Sequence, residues 1–484
     1  MFGKGRDSVL LSELMKDWPC TLLKGSIRQK INGITESSEC IKEGYVFVIR
    51  KGTVRDGLDF VEEALIKGAN TIVVDRVNLD LSNIPSEITV LLVPDSSLFI
   101  SYGSAKLAGT PGEELTIIAV TGTNGKTTVS HFIGQLLMAA GCRTAIIGTT
   151  GVYMNGELTE TIQDSMTTMP AERLHPILRQ CVDRQITHVV LEASSLGLSS
   201  NRLAHCPISI GILLNIGVDH YAEHGGKQQY IEAKKRLILL AEKLIANEDD
   251  PICYEMSKDS ASKPMYFSAA HLNGKPYPAD KLKESSFSVL GKHNEMNARA
   301  AICALLALGY SYNEIHSKLS ALCLPKGRLE RYSQDGVEIY VDYAHTPDAL
   351  QVVLEALCAH ASQRVITVFG CGGDRDHEKR PQMGAIAAQY STHVILTSDN
   401  PRSEEPSQII LDILAGTTGF PTPIDVLLNR KYAIQYAIRI AQAGDVVLIA
   451  GKGHEQTQQI GDKVYHFCDM EEVKHAFFEK NRLD

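Results

Sequence analysis

The chain of 484 residues predicts an α/β protein of three domains, with a parallel P-loop-type sheet in the central one and a doubly wound sheet in the C-terminal one. Three observations predict this. Short β-branched runs alternate with helical patterns along the whole chain, which implies βαβ units. One run enters a glycine-rich loop ending in Gly125, Lys126 and Thr127, a strand–loop–helix order that aims backbone N–H groups at an anion. Three later runs each end in a polar loop, and open sheets bind ligands outside the carboxyl ends of their strands.

Residues 1–112 are the first predicted domain. Residues 45–49 and 71–74 read as strands, and 58–67 as an amphipathic helix stopped by Gly68. The turn cluster Gly109, Thr110, Pro111 and Gly112 closes it. Residues 113–326 are the second, a P-loop-type ATPase sheet. Strands are expected there at 115–120, 144–147, 188–191 and 208–214, and helices at 129–140 and 296–308. Residues 268–283 read as an irregular polar connection. The pattern breaks at Leu324, Pro325, Lys326 and Gly327. Residues 327–484 are the third, a doubly wound, Rossmann-like unit with strands at 337–342, 365–369, 393–397 and 446–450.

Composition excludes several classes of function. A net charge of −9 and a pI near 6.0 argue against a nucleic-acid partner held by bulk electrostatics. Residues 1–7 lack an apolar leader core, and no run approaches the ~20 apolar residues of a membrane span. Eleven cysteines, an odd number without a C-x-x-C pair, indicate reduced thiols. The expectation is a cytoplasmic monomer that works on small molecules, with no nucleic-acid or membrane partner.

The usual phosphate-loop spacing, G-x-x-x-x-G-K-[ST], would need glycine at position 120, where Val120 stands. The loop is therefore a shortened variant, in which Lys126 adds a point charge and Thr127 a hydroxyl for Mg²⁺. Of the late loops, 370–376 carries Arg375, 398–402 carries Asp399, Asn400, Pro401 and Arg402, and 451–455 carries Gly451 and Glu455. Guanidinium forks grip carboxylates and a glutamate accepts from an ammonium, so the set suits a zwitterion. The plainer alternative makes Arg375 and Arg402 surface charges neutralised by Asp374, Glu404 or Glu405. Glu192 at one strand end and Asp219-His220 after another could hold a second Mg²⁺. Read singly, Glu192 is a helix-start carboxylate and His220 a hydrogen-bonded core residue.

Taken together, residues 121–128, Glu-Ala-Ser-Ser at 192–195, residues 215–220, Gly327-Arg328, Asp-Tyr-Ala-His-Thr-Pro at 342–347 and the three late loops resemble the Mur ligase family. The resemblance runs from about residue 32 to 470. The late loops are most similar to the family's third branch, the UDP-N-acetylmuramoyl-tripeptide synthetases of peptidoglycan precursor synthesis. It implies that Gly122, Thr123, Asn124, Gly125, Lys126, Thr127 and Thr128 hold ATP, with Thr127 on Mg²⁺. Glu192 and His220 match further metal and phosphate positions. Lys234 matches a lysine that the family carbamylates with CO₂, turning a cation into an oxygen ligand for Mg²⁺. Asn297, Arg328 and Asp342 match positions around the nucleotide. Arg375, Asp399, Asn400, Pro401, Arg402, Gly451 and Glu455 match the site for the incoming amino acid. Ser37, Thr167, Thr168, Ser194 and Arg202 match substrate-binding positions for the acyl donor, a nucleotide-sugar dipeptide. In this family the Asp-Asn-Pro-Arg form goes with meso-diaminopimelate, whose distal carboxylate lysine lacks.

The departures gather on the donor side. Glu36-Ser37-Ser38 stands for Asp-Ser-Arg, Met166 precedes Thr167 in place of asparagine, Ser200 replaces a glutamine, and Ala222 replaces an acid. The expected reaction is ATP-dependent: a carboxylate of UDP-N-acetylmuramoyl-L-alanyl-D-glutamate becomes an acyl phosphate, and the diamino acid's amine displaces phosphate. The alternatives are a paralogue using the same chemistry on a different carboxylate, and a nucleotide-regulated binding protein that has lost catalysis.

Overall fold

The computed structural model describes residues 8–51, 56–77, 82–161, 166–217, 224–277, 282 and 289–483. The chain forms two compact units. One comprises Met1–Gly122, Ile133–Phe267 and Cys303–Tyr312, and the other Thr123–Phe132, Ser268–Ile302 and Asn313–Asp484.

The first unit holds two large sheets. The N-terminal one runs Thr21–Lys24, Thr89–Leu92, Ala69–Val74, Tyr45–Val48, Gly33–Thr35, and only its first strand is antiparallel. Alternate side chains leave opposite faces of a strand. Val46, Val48 and Val73 accordingly pack with Phe99 and Ile100 of the helix Ser96–Leu107, while Phe47, Ile72 and Val74 pack on the other face. The helix expected at 58–67 is divided into a 3-10 turn, Gly57–Phe60, and an α-helix, Val61–Ile66. Asp56 caps the 3-10 turn, its carboxylate accepting from the Leu58 N–H at 3.0 Å.

The central sheet takes the order Glu157–Glu160, Gly151–Met154, Thr144–Gly148, His188–Glu192, Thr116–Thr121, Ile208–Leu213, Ala241–Asn247, Met265–Phe267. From Thr144–Gly148 onward these strands are parallel. Thr116–Thr121 is an interior strand whose Ile117, Ile118, Ala119 and Val120 are all fully buried. Burial on both faces is why it reads as an unbroken apolar run. The helix after it is Lys126–Ala139, three residues earlier than its apolar period suggested, because Gly125 (φ +88°) turns the chain directly into it. The later alanine-rich helix likewise starts early, at Lys292, after Gly291 (φ +94°). Residues 268–283 are not wholly irregular. His271–Leu272 and Lys275–Pro276 pair as a hairpin turned by Asn273 and Gly274, both at positive φ.

The C-terminal sheet of the second unit runs Glu330–Gln334, Val337–Asp342, Val446–Ala450, Val365–Phe369, His393–Leu396, Ile424–Val426, antiparallel only at its first pair. Its strands split residue by residue between two cores. Val365, Phe369, Val394 and Leu396 pack with helices Pro347–His360, Lys379–Tyr390 and Pro406–Ala415. Ile366, Val368, Ile395 and Ile449 pack with Arg430–Ile440 and Asp469–Leu483. Helices on both faces make the sheet doubly wound, and the strand order sets the carboxyl ends of Val446–Ala450, Val365–Phe369 and His393–Leu396 side by side. All eleven cysteines are free thiols. Among the described residues no helix is long and apolar enough to cross a membrane.

Candidate active site

The glycine-rich loop leaves the buried strand Thr116–Thr121 through Gly122 and enters helix Lys126–Ala139, whose first-turn N–H groups lack intrahelical acceptors. Asn124 is exposed, whereas Thr123, Thr127 and Thr128 are buried. The Lys126 side chain folds back over the loop, its Nζ donating to the Thr123 carbonyl at 2.9 Å. In the same unit the Arg328 guanidinium donates to Thr127 Oγ1 at 3.4 Å and lies 4.6 Å above the Tyr343 ring centroid. Asp342 holds that corner by accepting from the N–H groups of Leu329 (2.7 Å) and Ala344 (2.8 Å). Burial pushes the Asp342 carboxyl up, and Arg328 opposes the shift. Burial and Arg328 together push the nearby His131 imidazole down to about 4. Asn297, on the helix Lys292–Ala307, is buried and donates to Asn294 Oδ1 at 3.1 Å.

In the first unit Glu192 ends its strand 1% exposed. Its two oxygens accept from the Thr149 N–H and the Thr149 hydroxyl, each at 3.0 Å. The Thr167 hydroxyl in turn donates to Thr149 Oγ1 at 3.2 Å. Thr168 donates to the Glu192 carbonyl at 2.8 Å and accepts from the Ser194 N–H at 2.8 Å. Ser194 caps the short helix Ser195–Ser199, its Oγ accepting from the Gly197 N–H at 3.0 Å. Arg202 donates to the Thr168 carbonyl at 2.6 Å. Thr167, Thr168, Glu192, Ser194 and Arg202 are thereby one network. Burial holds the Arg202 guanidinium below its ordinary value, with Glu36 and Glu172 opposing.

The donor-side departures have their own partners. Glu36 pairs with Arg50, and Ser38 is turned inward onto Glu63 at 2.9 Å. The N–H of Ser37 donates to Thr35 Oγ1 at 3.1 Å, and the Thr35 hydroxyl donates to Glu172 at 3.3 Å. Met166 Sδ stands 3.9 Å from the Arg202 guanidinium, and the Ser200 N–H donates to the Leu196 carbonyl at 2.9 Å. Lys234, on helix Lys227–Leu240, is 1% exposed with its Nζ 4.7 Å from the Tyr230 ring centroid. His220, with Asp219, Tyr221 and Ala222, lies outside the described residues. Among the described residues no cluster of three His, Cys, Asp or Glu side chains forms a ready metal site.

The three late loops are in contact. A Cβ on Gly451 would stand 2.7 Å from Asp399 Oδ2, and one on Gly370 would overlap the Thr397 carbonyl. Arg402, at φ +52°, donates to the Gly373 carbonyl at 2.6 Å. Its carbonyl accepts from the Gly461 N–H at 2.7 Å, which ties Pro401 and Arg402 to the hairpin Thr457–Ile460 and Lys463–His466. Arg375 is exposed, its guanidinium 3.5 Å from the Asp374 carbonyl. Of the acids that sequence offered as their partners, Asp374 lies within reach of both: Ser403 first, and then Arg402 and Arg375, hold its carboxyl below the ordinary value. Asp374 accepts from Ser403, and Glu404 pairs at 2.8 Å with the fully buried Arg380.

Sequence reasoning passed over Lys452, whose ammonium is fully buried between Asn400 Oδ1 (3.0 Å) and Glu455 Oε2 (2.8 Å). The one available signal was a lysine flanked by two glycines directly after an apolar strand. Thr149 and Glu172, which hold Glu192 and the 35–37 turn, were missed as well, because each acts on residues distant in sequence.

Comparison with known proteins gives the following. The Mur ligase middle domain matches residues 120–305, and the Mur ligase glutamate ligase domain matches residues 327–453. A UDP-N-acetylmuramoyl-L-alanyl-D-glutamate–2,6-diaminopimelate ligase 2 of Clostridium acetobutylicum is 35% identical over 96% of this chain and 99% of its own. The corresponding ligase of Geobacter metallireducens is 35% identical over 94% of this chain and 96% of its own. A solved structure of such a diaminopimelate ligase superposes with a TM-score of 0.64 at 31% identity, covering 98% of this chain and 100% of its own.

Proposed function

The chain belongs to the Mur ligase family, ATP-dependent amide ligases, and we propose that it joins 2,6-diaminopimelate to UDP-N-acetylmuramoyl-L-alanyl-D-glutamate. The observation that carries the amino-acid half is the contact of three loops from adjacent parallel strands, which groups Arg375, Asp399, Asn400, Arg402, Gly451 and Glu455. Two guanidinium groups and a glutamate match a molecule with two carboxylates and two ammonium groups.

The reaction proceeds in two displacements. A donor carboxylate oxygen attacks the γ-phosphorus of ATP, forming an acyl phosphate and releasing ADP. The free amine of the amino acid then attacks the acyl carbon, the C–O bond to phosphate breaks, and the amine's surplus proton leaves. No side-chain nucleophile is needed, so the protein's work is positioning and charge stabilisation. Gly122, Thr123, Asn124, Gly125 and Thr128 line the phosphates with backbone and hydroxyl donors, and Lys126 balances charge on the transferred group. Asn297, Arg328 and Asp342 serve the rest of the nucleotide. Ser37, Thr167, Thr168, Ser194 and Arg202 serve the donor.

Mg²⁺ takes oxygen ligands, and the hydroxyl of Thr127, the carboxylate of Glu192 and a carbamate on Lys234 are donors of that kind. When bound, it neutralises charge on the phosphates. The family resemblance assigns these residues to it together with His220. Carbamylation suits Lys234, because a fully buried Nζ beside an aromatic ring gains a hydrogen-bonding anion that Mg²⁺ offsets. Substrates of this kind, a nucleotide-sugar peptide and a free amino acid, place the enzyme's work in the cytoplasm.

The test is ADP release by the purified protein with the nucleotide-sugar dipeptide and diaminopimelate. Release that needs both supports the reading, and release indifferent to diaminopimelate would overturn it. One observation favours a second reading, the same ligase chemistry on another carboxylate. Glu36 is committed to Arg50 and Ser38 to Glu63, where the family places Asp-Ser-Arg. Release with diaminopimelate and a different carboxylate, and none with the dipeptide nucleotide, would select it.

A further inference from the structure

Lys452 is a buried charge behind the proposed amino-acid site. It sits in the loop after strand Val446–Ala450 and is 0% exposed. Burying an ammonium is costly unless it is paired and hydrogen-bonded. Its Nζ donates to Glu455 Oε2 at 2.8 Å and to Asn400 Oδ1 at 3.0 Å. Asn400 closes the triangle by donating from Nδ2 to the same Glu455 oxygen at 3.0 Å. Asn400 Oδ1 also accepts from the Gln459 N–H at 2.9 Å, and the Gln458 side chain donates to the Asp399 carbonyl at 2.7 Å. The loop's base is anchored separately, since buried Arg430 donates to the Ala450 carbonyl at 3.0 Å and pairs with buried Asp469 at 2.7 Å.

The arrangement has a directional consequence. Among the described residues the side-chain bonds to the Glu455 carboxylate, from Lys452 and from Asn400, both fall on Oε2. Two donors on one oxygen fix the rotation of the carboxylate and leave Oε1 as the oxygen for another donor. They also fix the Asn400 amide, with its oxygen toward Lys452 and its nitrogen toward Glu455. Asn400 and Glu455 lie 55 residues apart on different loops. The buried cation between them sets their mutual geometry.

We propose that Lys452 is a positioning residue for the incoming amino acid, holding Glu455 Oε1 ready to accept from its ammonium group and keeping the Asn400 loop in register with it. This rests on the amino-acid site proposed above. It makes Lys452 an indirect determinant: it touches the two residues that read the substrate and takes no proton in the reaction.

The experiment is steady-state kinetics of full-length Lys452→Met, Lys452→Gln, Glu455→Gln and the Lys452→Met/Glu455→Gln double variant. ATP, donor and diaminopimelate are varied in turn. Lys452→Met is expected to raise KM for diaminopimelate by ~10- to 100-fold, the scale for breaking a buried charged pair, with KM for ATP within about twofold. Lys452→Gln, which restores one donor, should fall between Met and wild type. In the Glu455→Gln background the effect of Lys452→Met should shrink by at least about fivefold, because groups acting through one another are non-additive. Additive effects would overturn the proposal. So would equal losses toward ATP and diaminopimelate, or loss of ATP binding in both single lysine variants, since either makes Lys452 a support of the whole domain. Failure of the wild-type chain to use diaminopimelate at all would instead refute the proposed function, and is read from the unmutated enzyme.

Discussion

Gly148 and Glu192 end neighbouring parallel strands so closely that a Cβ on Gly148 would stand 2.5 Å from the Glu192 carboxyl carbon. The absence of a side chain at 148 is what lets the Glu192 carboxylate lie across the strand end and receive both donors of Thr149. Gly148→Ala should therefore displace the carboxylate. The expected result is a fall in kcat of ~10-fold or more together with the ~1–3 kcal/mol destabilisation of an overpacked site. Kinetics and thermal unfolding measure the two. An alanine variant with unchanged kcat and Mg²⁺ requirement would show that the position of Glu192 is immaterial to the reaction.

In the proposed reaction Lys126 is the charge that the glycine-rich loop brings to the transferred group. Lys126→Ala should lower kcat by at least ~10²-fold, as expected for removing a donor from developing charge. Its Nζ lies on the Thr123 carbonyl, an acceptor that water can replace, so folding should survive the change. Near-normal turnover would remove the loop from the chemistry.

If Lys234 is carbamylated, Lys234→Ala should be inactive and partly rescued by short carboxylic acids that replace the missing oxygen ligand. Depleting CO₂ should slow the wild-type enzyme and leave the rescued variant unaffected. Because carbamates fall off on acidification, activity is a better readout than mass. A fully active alanine variant would rule the role out.

Arg402 sits at φ +52°, between the Gly373 carbonyl and the Gly461 N–H. Arg402→Ala should raise KM for diaminopimelate by the ~2–5 kcal/mol typical of truncating a buried charged pair, with KM for ATP nearly unchanged. The preference for diaminopimelate over lysine should narrow, because the partner of the distal carboxylate is gone. Equal use of the two amino acids by the unmutated enzyme would sink the specificity claim and leave the ligase standing.

Glu172 makes stability depend on pH. Burial, reinforced by Glu36, raises its carboxyl above the ordinary glutamate value of about 4.5. The native state then binds more protons than the unfolded state, so stability falls as pH rises from about 4.5 through the raised value, and is level above it. Glu172→Gln keeps an oxygen for the Thr35 hydroxyl and removes the charge. In the ligand-free protein it should raise Tm at pH 7 and change it little at pH 4. An equal shift at both pH values would mean that packing, not ionisation, governs this site.

By itself the sequence determined the α/β class, the strand–glycine-rich loop–helix at 116–139 and the positions of the three late loops. Each depends on residues that are neighbours along the chain: the apolar run 115–120, the Gly-Lys-Thr after it, the polar stretches that end strands. The split of 58–67 escaped because a 3-10 turn at a helix start carries an apolar spacing close to that of the α-helix it precedes. Tertiary structure alone decided what those loops do to one another. Asn400 and Lys452 meet because His393–Leu396, Val365–Phe369 and Val446–Ala450 are consecutive in the sheet, an order set by how helices cover its two faces and invisible to local periodicity. The same holds for Thr149 and Glu192, joined across strands 43 residues apart. A lysine in a glycine-rich loop reads as a solvated charge until the fold closes over it, and burial then forces it to find an acceptor.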